Sequence, residues 1–179
     1  MDTTGSLPIQ YEYNCPCGKS IVSGFGARAY SIFILSDKPD WEQTASGSIS
    51  KSRIGALLKQ ELAVAGISPM DYYVDNLWKH ERPKNKSSGN PECVPFMVDY
   101  AVQQMSKAKY VLLCGSEVAE TFLHVGISTC AGLEVHPFDL PNEPVYYAMV
   151  SPTWGYSQTI GEVRLTIQKF ARRIKNDTR

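Results

Sequence analysis

Residues 109–126, "KYVLLCGSEVAETFLHVG", are the stretch that decides the fold. The first seven form a short apolar run that predicts a buried strand. The next residues predict a helix, because Ser116 can cap its first turn and Glu117 places a negative charge there. A strand that leads directly into a helix is the repeating unit of α/β proteins.

The same succession recurs along the chain. Three further strands are predicted at residues 30–35 ("YSIFIL"), 71–78 ("DYYVDNLW") and 145–151 ("VYYAMVS"). Three further helices are predicted at residues 50–66, from Asn90 to Met105, and from about Gln158 to Ile174, each with apolar residues at helical spacing. Strand and helix thus alternate four times, which predicts a three-layer α/β/α fold with a central four-stranded parallel sheet.

Length and composition define the class of protein. The 179 residues fit a single domain, 1–179, with residues 1–14 and 175–179 expected to be flexible ends. Eighteen basic and eighteen acidic side chains give no net charge, so any nucleic-acid contact needs a local basic patch. No leader-like or membrane-spanning apolar stretch is found, so a cytoplasmic, reducing location is expected. The five cysteines are then expected to bind metal or lie buried rather than pair.

Ligands of parallel sheets bind where the strands end. The strand exits are "SDKPDWEQ" at 36–43, "NLWKHERP" at 76–83, "CGSE" at 114–117 and "SPTWGYS" at 151–157. Their polar and aromatic residues are therefore the first candidates for a functional site.

The segment "CPCGKS", residues 15–20, ends like a phosphate-binding loop but is not one. Such a loop requires a glycine at position 13, which is Tyr13 here, and no strand leads into it. Cys15 and Cys17 can instead act as metal ligands together with His80 and Cys93. A single close cysteine pair is a weak signal for a metal site, so both this role and simple burial remain open.

Several motifs together resemble one known family. The segment "YVDNLWKHERPKNK" (73–86) is similar to "YITNVVKCRPPGNR", and "YVLLCGSEVAETFL" (110–123) to "VVLALGATAAKAL". "SDKPD" (36–40) falls on "GEAPG", and "EPVYYAMVSPTW" (143–154) on "GIPVLPTYHPSA". From about Cys15 to Ile174 the chain therefore resembles the uracil-DNA glycosylase superfamily, closest to its iron-sulfur families 4 and 5.

The resemblance implies a DNA base-excision enzyme that acts on a flipped uracil or modified pyrimidine. Asp37 then takes the place of the acidic residue that assists water attack and stabilises the cationic sugar. Asn76 takes the place of the asparagine that binds the base edge, and Ser151 replaces the histidine donor. Considered alone, Asp37 can equally cap a turn and Asn76 can bond locally. The alternative function is an inactive glycosylase-fold protein that binds DNA or a protein partner.

Aromatic and basic residues near the strand exits suit DNA. Ser50 stands where the family has its base-stacking aromatic, and Trp41 is the predicted replacement. Trp154 and Tyr156 lie where family members wedge the duplex open, although such residues also form protein interfaces. The residues predicted to contact phosphates are Lys79, Arg82, Lys84 and Lys86; a solvated surface loop is the alternative.

The resemblance also implies a metal centre. The family's four cluster cysteines correspond here to Cys15, Cys17, His80 and Cys93. A 4Fe-4S cluster is the prediction, with zinc as the alternative, since zinc readily accepts three thiolates and one imidazole. Cys114 and Cys130 are expected to be core or loop residues.

Overall fold

The computed structural model describes residues 17, 19–80, 93–137, 139–141, 143–152 and 156–177. In these ranges six strands form one sheet in the order β1-β3-β2-β4-β6-β5. The strands are β1 (Phe25–Gly26), β2 (Ile32–Ser36), β3 (Tyr72–Asn76), β4 (Tyr110–Cys114), β5 (Glu134–Val135) and β6 (Val145–Met149).

The same ranges contain six α-helices. They are α1 (Trp41–Ser46), α2 (Arg53–Val64), α3 (Cys93–Met105), α4 (Ser116–Leu123), α5 (Ile127–Cys130) and α6 (Tyr156–Asp177). α2 begins where the Ser52 side chain accepts a hydrogen bond from the Gly55 N–H, and its C-terminal end is followed by Gly66 at φ 79°. α6 extends to Asp177, past the predicted end at Ile174 and into the predicted flexible end.

The prediction of an α/β protein is confirmed, and the sheet is larger than predicted. The four predicted strands, β2, β3, β4 and β6, lie side by side and pair in parallel. The sheet is mixed rather than purely parallel, because β1 and β5 pair antiparallel with β3 and β6 at its two edges. Each edge strand has only two residues, too few to produce an alternating pattern in the sequence.

Helices cover both faces of the sheet. On one face the apolar sides of α2 and α6 pack on alternate strand residues such as Ile34 and Leu112. On the other face α3 and α4 pack on the intervening residues, including Phe33 and Val111. No helix in the described residues is both long and apolar enough to cross a membrane.

The order in which strands are added to the sheet reverses between β2 and β4. After β2 the chain proceeds to α2 on one face, whereas after β4 it proceeds to α4 on the other, although the two strands are neighbours. Their connections therefore separate at the carboxyl edge and leave a crevice, the usual ligand position in an open α/β sheet.

Candidate functional site

Asp37 lies at this crevice, directly after β2. Its Oδ1 accepts a hydrogen bond of 2.9 Å from the backbone N–H of Val118 in the first turn of α4. The residue that precedes α4 is Gly115, which has no side chain to cap the helix. Asp37 therefore caps α4 from a neighbouring strand and places a carboxylate at the positive end of the helix dipole.

Gly115 makes room for this carboxylate. Its φ is 104°, a conformation that L side chains rarely adopt, and a Cβ there would overlap the Asp37 carboxyl group. The space that the Asp37 carboxyl group occupies is therefore open only while residue 115 is glycine.

The pKa of Asp37 is raised from 3.8 to about 6. Burial of the carboxyl group is the main cause; the hydrogen bond from Val118 opposes it, and Glu117 adds a smaller increase. Lys38 lowers the pKa slightly, and its Nζ lies 3.2 Å from a Glu117 carboxylate oxygen. At neutral pH Asp37 is therefore mainly ionised, with a pKa suited to accepting a proton.

Asn76, the last residue of β3, lies at the same edge of the sheet. Its Cα is paired with that of Ser36, the residue before Asp37. The side chain is buried, and its Nδ2 donates a 2.8 Å hydrogen bond to Oε1 of Gln43 in α1. Its Oδ1 has no hydrogen-bond partner among the described residues. A buried acceptor without a donor is uncommon and points to a missing polar partner.

Gln43 was not among the predicted site residues, although it ends the first strand-exit segment. It is only 1% exposed. A signal was present in the sequence: Asp40 and Gln43 have the spacing of a capping box, in which a polar side chain returns to the start of the helix. Asp40 does cap α1, accepting from the Gln43 N–H at 2.8 Å, but the Gln43 side chain binds Asn76 instead.

Three of the four predicted metal ligands come together. One ligand atom from each of Cys17, His80 and Cys93 lies within 4.8 Å of the other two, and His80 and Cys93 are buried. The Cys17 Sγ is 3.2 Å from Nε2 of His80. These three side chains can hold a metal ion. The fourth predicted ligand, Cys15, lies outside the described residues.

Lys79 does not fit its predicted role in phosphate contact. The side chain is buried, forms an ion pair with the buried Asp75, and lies over the Tyr100 ring at 4.5 Å from its centre. Burial lowers its pKa, while Asp75 opposes that decrease. The prediction is corrected because Lys79 faces the interior between β3 and α3.

The remaining predicted residues differ in how the structure describes them. Trp41 is 72% exposed at the start of α1, and Ser151 is buried two residues after β6. Cys114 and Cys130 are buried as expected. Arg82, Lys84, Lys86 and Trp154 lie outside the described residues, and only the backbone of Tyr156 is described.

No protein-family model matches this chain, and no curated protein is significantly similar to it in sequence. The resemblance to glycosylases therefore depends on the motifs quoted above.

Proposed function

We propose that this protein is a DNA base-excision glycosylase that acts on a flipped uracil or modified pyrimidine. The observation that carries the proposal is the half-buried Asp37 carboxylate in the crevice between β2 and β4, with the open Asn76 acceptor at the end of the adjacent strand. A carboxylate and an amide at one edge of the sheet suit cleavage of a glycosidic bond beside a bound base.

The electrostatics of the crevice support a cationic rather than an anionic reacting centre. The amino terminus of α4, a position that commonly attracts phosphate, is already occupied by the Asp37 carboxylate. A second anion there would be repelled. A sugar that develops positive charge as its base departs would be stabilised, and the same carboxylate can accept a proton from the attacking water.

Cleavage of labelled oligonucleotides tests the proposal. Wild-type protein should convert a uracil-containing strand into alkali-labile sites, and Asp37→Asn should reduce the rate by about a hundredfold or more, because the amide carries no charge. Asp40→Asn is the matched control, since asparagine also caps helices. Both variants retain a capping oxygen, so folding is expected to be preserved.

A different outcome would support the alternative function. Ser151 is a neutral donor where the family has histidine, which favours a protein that retains the fold without catalysis. Absence of cleavage on uracil, hypoxanthine and hydroxymethyluracil substrates, together with retained DNA binding, would contradict the glycosylase proposal. Such a result would indicate a protein that uses the same surface to bind DNA or a protein partner.

We further propose that Cys17, His80 and Cys93 bind a single zinc ion, with Cys15 as the expected fourth ligand. Zn–S bonds of about 2.3 Å and Zn–N bonds of about 2.0 Å place neighbouring tetrahedral ligands roughly 3.5–3.8 Å apart. The ligand atoms of Cys17, His80 and Cys93 lie within 4.8 Å of one another, close enough for all three to bind the same ion. The cysteines of a four-iron cluster bind different irons, and their sulfurs lie farther apart. The ion would cross-link the amino-terminal segment to β3 and α3.

Metal analysis distinguishes a single zinc ion from an iron-sulfur cluster. Colourless protein with about one zinc per chain is expected, and Cys93→Ser should remove most of it. Cys130→Ser changes a buried cysteine outside the group and should retain the zinc. Brown protein containing iron and sulfide would instead indicate a cluster, and folded protein without metal would contradict both.

A further inference from the structure

The amide pair Gln43–Asn76 is a buried polar contact that joins α1 to β3. Both side chains are about 1% exposed, and the hydrogen bond runs from Asn76 Nδ2 to Gln43 Oε1 at 2.8 Å. Asp40 fixes the helix turn that carries Gln43 by accepting from its backbone N–H. The position of Gln43 is therefore set by the segment between β2 and α1, which begins with Asp37.

This hydrogen bond couples the orientation of the Asn76 amide to that of Gln43. While the Gln43 Oε1 faces Asn76, a half-turn of the Asn76 amide would bring its Oδ1 against that oxygen, and two acceptors would meet without a proton between them. With the orientation fixed, one Nδ2 hydrogen is used by Gln43. The Oδ1 acceptor and the second Nδ2 hydrogen remain for another partner, and the described residues supply no donor to Oδ1.

We propose that Gln43 is a positioning residue that fixes which edge of the Asn76 amide is offered to a ligand. The inference rests on the proposed function, in which that ligand is a flipped base. An acceptor next to a donor complements the N–H and C=O of a lactam, as in uracil and thymine. The same edge does not match cytosine, whose amino group is a donor and whose ring nitrogen is an acceptor, because the order of donor and acceptor is reversed.

The structure suggests two informative substitutions. Gln43→Met is nearly isosteric but cannot accept the hydrogen bond, so the Asn76 amide becomes free to adopt either orientation. Gln43→Glu keeps an acceptor oxygen at the same place, so the orientation should be retained. Gln60→Met, on the exposed side of α2, is the control for the substitution itself.

Equilibrium binding of non-cleavable oligonucleotides gives a readout independent of catalysis. The probes carry one 2′-fluoro-deoxyuridine or one 2′-fluoro-deoxycytidine. Wild type, Gln43→Glu and Gln60→Met should prefer the uracil probe, and Gln43→Met should lose that preference by about tenfold, the effect of one hydrogen bond. The side-chain amide signals of Asn76 in an ¹⁵N spectrum should shift in Gln43→Met alone.

The outcomes are distinguishable. Uracil preference that persists in Gln43→Met, with the variant folded, would overturn the role of Gln43 whether or not the protein cleaves DNA. Preference that is lost in this variant without cleavage by the wild type would support Gln43 and refute the catalytic proposal. A wild type that neither prefers the uracil probe nor cleaves DNA would overturn both.

Discussion

At the scale of single residues, Asp37 combines a structural role with a proposed chemical one. As a cap Asp37 stabilises α4, whereas its partial burial removes water from the carboxylate and makes the ionised form less stable. Its raised pKa is the measurable result of this opposition. A carboxylate that is costly to keep ionised is common at sites where charge is needed for chemistry.

The raised pKa of Asp37 therefore predicts a specific dependence of the free energy of unfolding on pH. Its folded-state pKa of about 6 lies above the ordinary 3.8, so the folded protein binds the proton more tightly than the unfolded chain. The stabilisation of the folded state that results from this tighter proton binding is complete below about pH 4. It is lost as the pH rises through about 6, and the free energy of unfolding then falls by at most about 3 kcal/mol. Denaturant unfolding between pH 4 and 7 should show this loss in wild type relative to Asp37→Asn.

The comparison needs a control for other titrating groups. Asp40→Asn retains Asp37 and should follow the wild-type curve. If Asp37→Asn loses stability in parallel with wild type across this range, the Asp37 carboxyl group is not the cause.

Sequence can predict a site residue when its side-chain chemistry and its place in a motif are enough to indicate the role. Motif spacing predicts His80 and Cys93 as metal ligands, and the structure brings them together with Cys17. It also predicts Asp37 and Asn76, which lie at the carboxyl ends of β2 and β3, and their chemical roles stay predictions. Lys79 was misassigned because its charge indicated solvent, whereas a buried partner, Asp75, lies four residues earlier in the chain and neutralises it in the interior.

At the scale of elements, the junction of β4 and α4 depends on Gly115. Replacement by alanine combines a strained φ with an overlap between the new methyl group and the Asp37 carboxyl. We expect Gly115→Ala to reduce the free energy of unfolding by about 2–4 kcal/mol, since backbone strain alone contributes roughly 1–3 kcal/mol. Thermal or denaturant unfolding measures this directly.

Two further variants separate strain from overlap. At Gly47 φ is also positive, 66°, and an added Cβ faces open space, so Gly47→Ala should show a smaller loss that comes from left-handed backbone strain without overlap. Combining Gly115→Ala with Asp37→Ala removes the overlap, and the two effects should then be less than additive. Strict additivity would show that the carboxyl group does not occupy the position seen here.

The long elements were predictable because each has enough residues to show a pattern. α2 and α6 bury apolar residues at helical spacing, and β2 and β4 are largely apolar runs. α1 and α5, with six and four residues, lack such a pattern, as do the edge strands. Gln43 lies in α1, where the capping-box spacing with Asp40 is the only signal and points to the start of the helix rather than to Asn76.

At the scale of the whole molecule, the proposed zinc ion would connect parts of the chain that are far apart in sequence. Cys17 and His80 are 63 residues apart, and Cys93 begins the helix that covers one face of the sheet. A ligand that binds only the folded state adds RT ln(1 + [L]/Kd) to stability. Because the site requires the amino-terminal segment, β3 and α3 to be in place, the ion should stabilise the entire domain.

Removal of the metal should therefore lower the melting temperature. Calorimetry after chelation is expected to show a decrease that reverses when zinc is restored, and a fixed excess of free zinc of about 100 Kd corresponds to roughly 2.7 kcal/mol. Cys93→Ser should melt at the chelated temperature and fail to respond to zinc, whereas Cys130→Ser should still respond. A melting temperature unaffected by chelation, in protein shown to have lost its metal, would mean that the three side chains do not need an ion to hold these segments together.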